Sequence, residues 1–282
     1  MFWKKRKQEI KKSKTKKFGL LGEDIQYSLS PKIHAIIYRE LGVDATYELF
    51  DVKKEDFDNV WDKLYKLDGF NVTKPYKKEI REYLLGVYDS QFSAVNAVDT
   101  NYYLTGKMFG YNTDYSAFLQ HMNDLQVKRG YNFNNENALV LGAGGVADVV
   151  VPILKSFGIE VNIYNRTHEK ALDLSNKYCV ENTKNKSRLS YNIVVNCTSY
   201  GLNKGENIAE GIDFSDTLLA YDTIYFDTDF IKTAQKANVP LVINGLDMLI
   251  YQAVASAEIF LDTEIKDKKA LKETILKEIK SN

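Results

Sequence analysis

The chain has 282 residues, of which 44% are hydrophobic and 27% are charged, and its 38 basic and 38 acidic side chains give a formal net charge of zero. This composition is that of a globular protein, and the length predicts two domains. No apolar run approaches the roughly 18 residues of a membrane span, so no membrane partner is expected. Two cysteines, Cys179 and Cys197, lack metal-like spacing, which predicts a reduced, cytoplasmic protein without a metal site.

Positive charge is concentrated in residues 1–17, which hold nine lysines and arginines against one glutamate. This segment therefore carries a net charge of +8 and leaves −8 for the rest of the chain. A basic arm can bind nucleic acid or a membrane surface. The acidic remainder and the lack of an apolar stretch favour a solvated, flexible tail instead, and we expect no nucleic-acid partner.

The first half of the chain alternates between strand-like and helix-like segments, as α/β proteins do. Apolar residues recur every three or four positions between Phe57 and Leu67, which predicts a helix with one buried face. The predicted elements are strands at Phe18–Leu21, Tyr47–Val52 and Phe70–Val72, helices at Pro31–Leu41, Lys54–Leu67 and Tyr76–Leu85, an extended segment at Ala94–Val98, and a hairpin at Asn101–Phe109 that turns near Thr105 and Gly106.

Polar side chains cluster where the third predicted strand ends. Asn71, Thr73 and Lys77 bring amide, hydroxyl and ammonium groups to one strand end, and Asp114 follows 37 residues after Lys77. Such a set can hold a polar small molecule. Lys77 can also move a proton, with Asp114 as a carboxylate partner. The pair predicts proton transfer on a hydroxyl or carbonyl group.

A second α/β unit opens with the apolar strand Ala138–Leu141, which runs into the glycine-rich segment Gly142–Ala147. The spacing of its glycines matches the turn with which dinucleotide-binding proteins approach a pyrophosphate and pack the next helix closely. A predicted helix at Val149–Phe157 and a strand at Glu160–Tyr164 complete the βαβ unit. We therefore predict a dinucleotide site at the glycine turn.

The residues after Tyr164 indicate which dinucleotide is bound. Asn165, Arg166 and Thr167 stand where an acidic residue would bind the ribose hydroxyls of NAD, and the planar guanidinium of Arg166 can pair with the 2′-phosphate of NADP. The alternative is a helix capped by Thr167 beside a solvated Arg166. Asp148, in the first turn of the helix that follows the glycines, suits the helix dipole, but it would repel a pyrophosphate if it faced the site.

Taken in order, these motifs resemble the shikimate dehydrogenase family, which comprises shikimate and quinate dehydrogenases. The resemblance runs from about Phe18 to Leu261. Tyr27 replaces a histidine of the family pattern, and Asp227 and Asp229 add charge near a carboxylate-binding rim, which we expect to weaken affinity rather than change the reaction. The matching motifs are Ser28-Leu29-Ser30-Pro31, Asn71-Val72-Thr73 with Lys77, Ala94-Val95-Asn96, Asn112-Thr113-Asp114, Gly142-Ala143-Gly144-Gly145, Asn165-Arg166-Thr167, Asn196-Cys197-Thr198-Ser199, Asp222-Thr223-Ile224-Tyr225 and Gly245-Leu246-Asp247-Met248 with Gln252.

The resemblance implies an α/β protein with an N-terminal α/β substrate domain, a Rossmann-like NADP-binding domain, and C-terminal helices that return to the first domain. The expected boundaries are residues 1–17 for the basic tail, 18–112 and 246–282 for the substrate domain, and 113–245 for the NADP-binding domain. One returning helix is predicted at Lys266–Lys280. The chain is expected to act as a monomer or a homodimer.

The resemblance also implies a role for each matching residue. Lys77 is the expected general acid and base, and Asp114 is its catalytic partner. The residues implied to bind substrate are Ser28, Ser30 and Tyr225 at the carboxylate, and Asn71, Thr73, Lys77, Asn96, Asp114 and Gln252 around the ring hydroxyls. The residues implied to bind cofactor are Gly142, Ala143, Gly144, Gly145, Val146, Ala147, Asn165, Arg166, Thr167, Thr198 and Gly245.

Simpler interpretations of the same residues remain open. Lys77 and Asp114 could form a surface ion pair, and Gln252 could face solvent. The other interpretations are strand-end turns formed by Asn71, Thr73 and Asn96, and a cap on the helix at Pro31 formed by Ser28 and Ser30.

The implied activity is the reversible, NADP-dependent reduction of 3-dehydroshikimate to shikimate, a step in aromatic amino acid biosynthesis. Hydride transfer to a ketone builds negative charge on its oxygen, which Lys77 can neutralise with a proton. A free lysine titrates near ~10.4; burial would lower the pKa of Lys77, whereas Asp114 would raise it. Two alternatives are an enzyme that acts on quinate or a related cyclic alcohol, possibly with NAD, and a non-catalytic metabolite or nucleotide sensor, which the retained Lys77 and Asp114 disfavour.

Overall fold

The computed structural model describes residues 15–88, 95–102, 107–187, 189–203 and 205–281. Residues 1–14 of the predicted tail, Ala94, and the predicted hairpin turn at Thr105 and Gly106 lie outside this part of the chain. Among the described residues, no helix combines the length and the apolar character needed to cross a membrane. The helices are α1 (Ser30–Glu40), α2 (Trp61–Leu64), α3 (Thr113–Arg129), α4 (Ala147–Ser156), α5 (His168–Tyr178), α6 (Asp229–Lys236), α7 (Leu246–Leu261) and α8 (Lys268–Lys280).

The first of two six-stranded sheets has the order β2-β1-β3-β5-β6-β4. Strands β1, β2 and β3 are parallel, β5 runs antiparallel to β3 and β6, and β4 runs parallel to β6. Strand β1 starts two residues inside the predicted tail. The strands are β1 (Lys16–Gly22), β2 (Ala45–Asp51), β3 (Gly69–Val72), β4 (Gly86–Val87), β5 (Ala97–Tyr102) and β6 (Lys107–Tyr111).

Apolar side chains cover both faces of this sheet. On one face, Phe18 packs with Ile33 and Ile37 of α1, Ile250 of α7 and Ile275 of α8. On the other face, the segment between β2 and β4 contributes Phe57, Leu64, Tyr76 and Ile80. Helices α7 and α8, which end the chain, therefore return to the first sheet, as the resemblance implies.

The second sheet is entirely parallel and has the order β12-β11-β10-β7-β8-β9. This is the doubly wound order of Rossmann-like folds, and the direction of winding reverses between β7 and β10. The α/β fold class with a Rossmann-like second unit is thus confirmed. The strands are β7 (Asn137–Leu141), β8 (Glu160–Tyr164), β9 (Glu181–Thr183), β10 (Ile193–Asn196), β11 (Leu219–Asp222) and β12 (Leu241–Ile243).

Alternate residues of β7 feed two separate cores, because successive strand side chains point to opposite faces. Ala138 and Val140 pack with α3, α4 and α5, whereas Leu139 and Leu141 pack with α6. Helices α3 and α7 also pack on each other and so connect the two sheets.

The helices predicted at Lys54–Leu67 and Tyr76–Leu85 are wrong, because neither segment forms a continuous α-helix. Residues 54–67 form a 3₁₀ helix at Lys54–Asn59 followed by the single turn of α2, since apolar residues three positions apart suit either helix type. Residues 76–85 form turns and a 3₁₀ helix at Glu79–Tyr83. There the main-chain oxygen of Lys77 accepts the N–H of Val95 at 2.7 Å, so it is not used by an α-helix.

Candidate active site

Two connected spaces lie between the sheets. The inner cavity has a volume of about 210 Å³, and the outer cleft has a volume of about 1070 Å³. Tyr27 and Tyr225 line both, so the two spaces meet at these rings. The inner cavity is lined by all nine residues predicted to bind substrate, which are Ser28, Ser30, Asn71, Thr73, Lys77, Asn96, Asp114, Tyr225 and Gln252.

Lys77 and Asp114 form a close ion pair inside the inner cavity. The Lys77 Nζ donates to Asp114 Oδ2 at 2.7 Å, and the exposed fractions of the two side chains are 23% and 11%. Asp114 lies in the first turn of α3, where the helix dipole favours a carboxylate. The ammonium group keeps donors for a ligand because it has three N–H bonds. A surface ion pair is therefore the wrong interpretation.

Asn96 holds the other oxygen of Asp114. Its Nδ2 donates to Asp114 Oδ1 at 2.8 Å, and its Oδ1 accepts the main-chain N–H of Thr113 at 2.7 Å and the Thr113 hydroxyl at 3.2 Å. Both carboxylate oxygens of Asp114 are thus occupied by protein donors. This arrangement fixes the carboxylate and, through it, the position of the Lys77 ammonium.

Asn71 is held by partners from three segments. Its Nδ2 donates to the main-chain oxygen of Asn96 at 2.9 Å and to Ser256 Oγ at 2.7 Å, and its Oδ1 accepts the phenol of Tyr47 at 2.8 Å. The sequence interpretation missed Tyr47 and Ser256. A serine four positions after Gln252, in an otherwise apolar stretch of α7, was the available signal for Ser256.

His34 lies behind Tyr47 and does not line the inner cavity. It is fully buried, and its ring stacks on Tyr47 with 4.1 Å between the centroids. Burial lowers the pKa of His34 to about 3, so the imidazole stays neutral at physiological pH.

The two serines lie at the start of α1. Ser30 is the first helical residue, and the hydroxyl of Ser28 accepts its main-chain N–H at 3.2 Å. Ser30 therefore does not cap this helix, contrary to one of the simpler interpretations. Two hydroxyls beside the positive end of an 11-residue helix form a suitable environment for a carboxylate.

The remaining cavity residues come from both units. Gln252 is buried on α7, where its Nε2 donates to the main-chain oxygen of Leu249 at 3.0 Å, so the solvent-facing interpretation is wrong. The main-chain N–H of Thr73 donates to Leu21 in β1 at 2.8 Å. Burial raises the pKa of Tyr225 to about 12, which keeps its phenol protonated.

The outer cleft follows the carboxyl edge of the second sheet, where the glycine turn begins. Gly142 has a φ of +108°, and a Cβ at this position would lie 2.9 Å from Thr198 Cγ2, so only glycine fits. Of the residues predicted to bind cofactor, the outer cleft is lined by Gly142, Asn165, Arg166 and Thr198. The inner cavity is lined by Val146 and Gly245, and neither space is lined by Ala143, Gly144, Gly145, Ala147 or Thr167.

Besides Arg166, the outer cleft is lined by two cations that the sequence interpretation missed, Lys74 and Lys186. Strands β8 and β9 pair in parallel, so Arg166 and Lys186 leave neighbouring strands at the same edge. The Lys186 Nζ donates to the main-chain oxygen of Ile208 at 2.6 Å, and burial lowers its pKa. No sequence pattern marked it, because β9 has only three residues.

Comparisons with known proteins agree with this geometry. The model of the shikimate dehydrogenase substrate binding domain matches residues 20–100, and the model of shikimate / quinate 5-dehydrogenase matches residues 124–200. The shikimate dehydrogenase (NADP(+)) of Nitrosopumilus maritimus is 36% identical over 262 residues, which is 87% of this chain and 93% of the relative. The chain belongs to the shikimate dehydrogenase family.

Solved structures of family members have the same fold. The shikimate dehydrogenase of Aquifex aeolicus superposes with a TM-score of 0.82 at 29% identity, over 94% of this chain and 98% of that one. The shikimate dehydrogenase of Thermus thermophilus, solved in complex with NADP(H) and shikimate, has a TM-score of 0.78 at 27% identity and covers 93% of this chain and 99% of its own.

Asp148, Asp227 and Asp229, whose negative charge could weaken the binding of a pyrophosphate or a carboxylate, each accept hydrogen bonds from neighbouring side chains. Asp148 is 3% exposed and accepts from Lys177 Nζ at 2.6 Å and from the Tyr178 phenol at 3.0 Å, so it faces α5 and lines neither space. Asp148 thus does not meet the condition under which it would repel a pyrophosphate. Asp227 accepts from Asn244 and Asp229 from Lys232, and neither lines the inner cavity.

Asp222 organises the turn that carries Tyr225. Its Oδ1 accepts the main-chain N–H of Ile224 and the Nδ2 of Asn196, both at 3.0 Å, and its Oδ2 accepts the hydroxyl of Thr228 at 2.5 Å. Burial nevertheless raises the pKa of Asp222 to about 6, since these donors only partly replace water.

The raised pKa of Asp222 predicts a pH dependence of stability. Asp222 takes up a proton at a higher pH in the folded state than in the unfolded state, so lowering the pH stabilises the fold. When the pH is lowered from 7 to 4, the free energy of unfolding of the wild-type protein should rise by about 2 kcal/mol relative to that of Asp222→Asn. Urea denaturation at several pH values measures this difference. The control is Asp213→Asn. The main-chain N–H of Ser215 lowers the pKa of exposed Asp213, so the wild-type protein should lose stability relative to this variant as the pH falls.

If the free energy of unfolding changes equally with pH in the two variants, the raised pKa of Asp222 is contradicted.

Proposed function

We propose that this protein is an NADP-dependent shikimate dehydrogenase, which reversibly reduces 3-dehydroshikimate to shikimate. The observation that carries the proposal is that Lys77, Asp114 and Val146 line one cavity. The group that can move a proton thus shares a space with the end of the glycine turn. Further support comes from the relatives named shikimate dehydrogenase (NADP(+)) and from the Thermus structure with NADP(H) and shikimate.

The residues of the outer cleft fit NADP. The position of Gly142 has no room for a Cβ, as expected where the chain approaches a pyrophosphate, and the carboxylate of Asp148 is turned away and paired. Arg166 follows β8 where a 2′-phosphate is recognised, and Lys186 on the neighbouring strand adds positive charge. The cofactor supplies the hydride when it is bound. The residues that would hold it are Gly142, Ala143, Gly144, Gly145, Val146, Ala147, Asn165, Arg166, Thr167, Thr198 and Gly245.

Lys77 supplies the proton chemistry in this proposal. As negative charge develops on the ketone oxygen, the Lys77 ammonium donates a hydrogen bond and then its proton, and in the reverse direction the amine accepts the proton of the alcohol. Asp114 orients Lys77 through the 2.7 Å contact. Ser28 and Ser30 bind the carboxylate of the substrate at the start of α1, together with Tyr225. Asn71, Thr73, Asn96 and Gln252 complete the surroundings of the ring.

Quinate is the second candidate substrate, because the family model that matches residues 124–200 covers both shikimate and quinate dehydrogenases. We also propose the domain division into residues 18–112 with 246–282, and 113–245. A reducing cytoplasm fits the free thiols of Cys179 and Cys197. The proposed assembly is a monomer or a homodimer without a nucleic-acid partner.

Initial rates with four substrate and cofactor combinations test the proposal. Shikimate and quinate are each oxidised with NADP and with NAD, and nicotinamide reduction is followed by absorbance. We expect the highest kcat/KM for shikimate with NADP. No turnover with any combination would contradict an enzymatic function, and faster oxidation of quinate would favour the second candidate.

Replacement of Lys77 tests the proton-transfer role. Lys77→Ala should lower kcat by roughly 10²- to 10⁴-fold, the usual contribution of a general acid or base, with a much smaller change in KM. The matched control is Lys78→Ala, since Lys78 is the exposed neighbour and does not line the cavity. This control should retain wild-type rates. An unchanged kcat in Lys77→Ala would remove Lys77 from the acid and base role.

Replacement of Arg166 tests the choice of cofactor. Arg166→Ala should raise the dissociation constant of NADPH by roughly 10- to 100-fold, because a charge-assisted contact to the 2′-phosphate is lost. The dissociation constant of NADH, which has no 2′-phosphate, is the internal control and should change less than about twofold. Fluorescence titration measures both. An equal loss for the two cofactors would show that Arg166 acts on the fold of the cleft.

A further inference from the structure

The hydrogen bonds of Asn71 have a fixed direction, because one partner is a main-chain carbonyl. The main-chain oxygen of Asn96 can only accept, so the Asn71 atom 2.9 Å away from it is Nδ2. The amide oxygen Oδ1 therefore faces the phenol of Tyr47, which donates to it at 2.8 Å. Burial raises the pKa of Tyr47 well above its ordinary value, which keeps this donor protonated.

Ser256 uses the second N–H of Asn71. The Ser256 hydroxyl donates to the main-chain oxygen of Gln252 at 2.8 Å, so its lone pairs are left for Asn71 Nδ2 at 2.7 Å. Both N–H groups of Asn71 are consequently occupied inside the protein. Asn71 can therefore offer a ligand only an acceptor.

Asn96 and Lys77, in contrast to Asn71, offer hydrogen-bond donors to a ligand. A main-chain N–H can only donate, so the Asn96 atom 2.7 Å from Thr113 N is Oδ1, and this oxygen also accepts the Thr113 hydroxyl. The Asn96 Nδ2 donates to Asp114 and keeps one N–H. The Lys77 ammonium likewise keeps N–H bonds beyond the one given to Asp114. One part of the inner cavity therefore supplies donors, and Asn71 supplies an acceptor.

We propose that Tyr47 and Ser256 are positioning residues, which leave Asn71 only an acceptor to offer and so direct it to a ring hydroxyl that remains a hydroxyl throughout the reaction. The inference rests on the proposed function, since it takes shikimate and its ketone as the ligands. A ketone oxygen cannot donate, so the reacting oxygen lies at Lys77 and Asn96 and not at Asn71. Tyr47 and Ser256 do not line the inner cavity, and they act on the ligand through Asn71.

Ligand analogues test the acceptor character of Asn71. Calorimetry on the full chain gives dissociation constants for shikimate and for analogues in which the hydroxyl at C4 or at C5 is replaced by hydrogen or by fluorine. Fluorine cannot donate, so at one of these positions both replacements should weaken binding by about tenfold or more. In Asn71→Ala the penalty at that position should fall below about threefold. Fluoro analogues that bind wild-type protein within about twofold of shikimate at both positions would overturn the inference.

The Ser256→Ala variant tests the positioning role. It should weaken shikimate binding by about fivefold but leave the deoxy analogue at the Asn71 position unchanged, because no hydroxyl remains to be positioned. Ser175→Ala is the matched control: Ser175 is also a buried helical serine, which donates to Leu172 O and accepts from Asn182 Nδ2, both at 2.9 Å. Ser175→Ala should leave the ratio of the dissociation constants for the deoxy analogue and for shikimate unchanged.

The outcomes separate this inference from the proposed function. If Ser256→Ala weakens shikimate and the deoxy analogue equally, Ser256 supports only the fold, and its positioning role is overturned. If wild-type protein oxidises shikimate and the analogue pattern fails, the inference alone is contradicted. If wild-type protein does not oxidise shikimate, the proposed function is contradicted and the inference falls with it.

Discussion

The contact on which the site depends is the carboxylate of Asp114 at the first turn of α3. One of its oxygens holds the Lys77 ammonium at 2.7 Å, and the other holds Asn96 at 2.8 Å. Asp114 belongs to the helix that leaves the first sheet and packs in the second unit, so this contact ties the proton-transfer group to the junction of the two units. A mostly buried carboxylate is tolerated there because the helix dipole and both partners compensate its charge.

Two glycines bring the main chain of the second unit close enough to complete the site. Gly142 leaves β7 in a left-handed conformation against Thr198, and Gly245 lies against Thr223, whose main-chain oxygen would be 2.2 Å from a Cβ. A side chain at Gly142 would push apart the ends of β7 and β10, where the winding of the sheet reverses, and one at Gly245 would push apart the ends of β11 and β12. At Gly142 the chain lies against the main chain of Cys197, and at Gly245 it lies against the main chain of Thr223. These close approaches shape the region beside Tyr225, where the outer cleft and the inner cavity meet.

The sequence predicted those parts of the fold that local patterns determine. Apolar runs marked β7 and β8, and glycine spacing marked the turn at Gly142. Helix periodicity failed for residues 54–67, because a spacing of three suits a 3₁₀ helix as well. It failed again after Pro75, where Val95 takes the carbonyl of Lys77. Pairs of residues distant along the chain could not be matched from local patterns: a lone serine in an apolar stretch marked Ser256, but nothing indicated that it bonds to Asn71 across 185 positions.

Helix α7 links the packing of the two units to the chemistry of the cavity. On its side toward α3, Tyr251 donates to Asp124. One turn further along, Ser256 of the same helix accepts from Asn71 at 2.7 Å. A shift of α7 against α3 would therefore move the Ser256 hydroxyl, which accepts from Asn71 and leaves only the amide oxygen of Asn71 for a ligand. The proposed positioning role of Ser256 therefore makes the packing of α7 on α3 part of how the cavity distinguishes the oxygens of a ligand, because the helix that holds Asn71 in place also joins the two units.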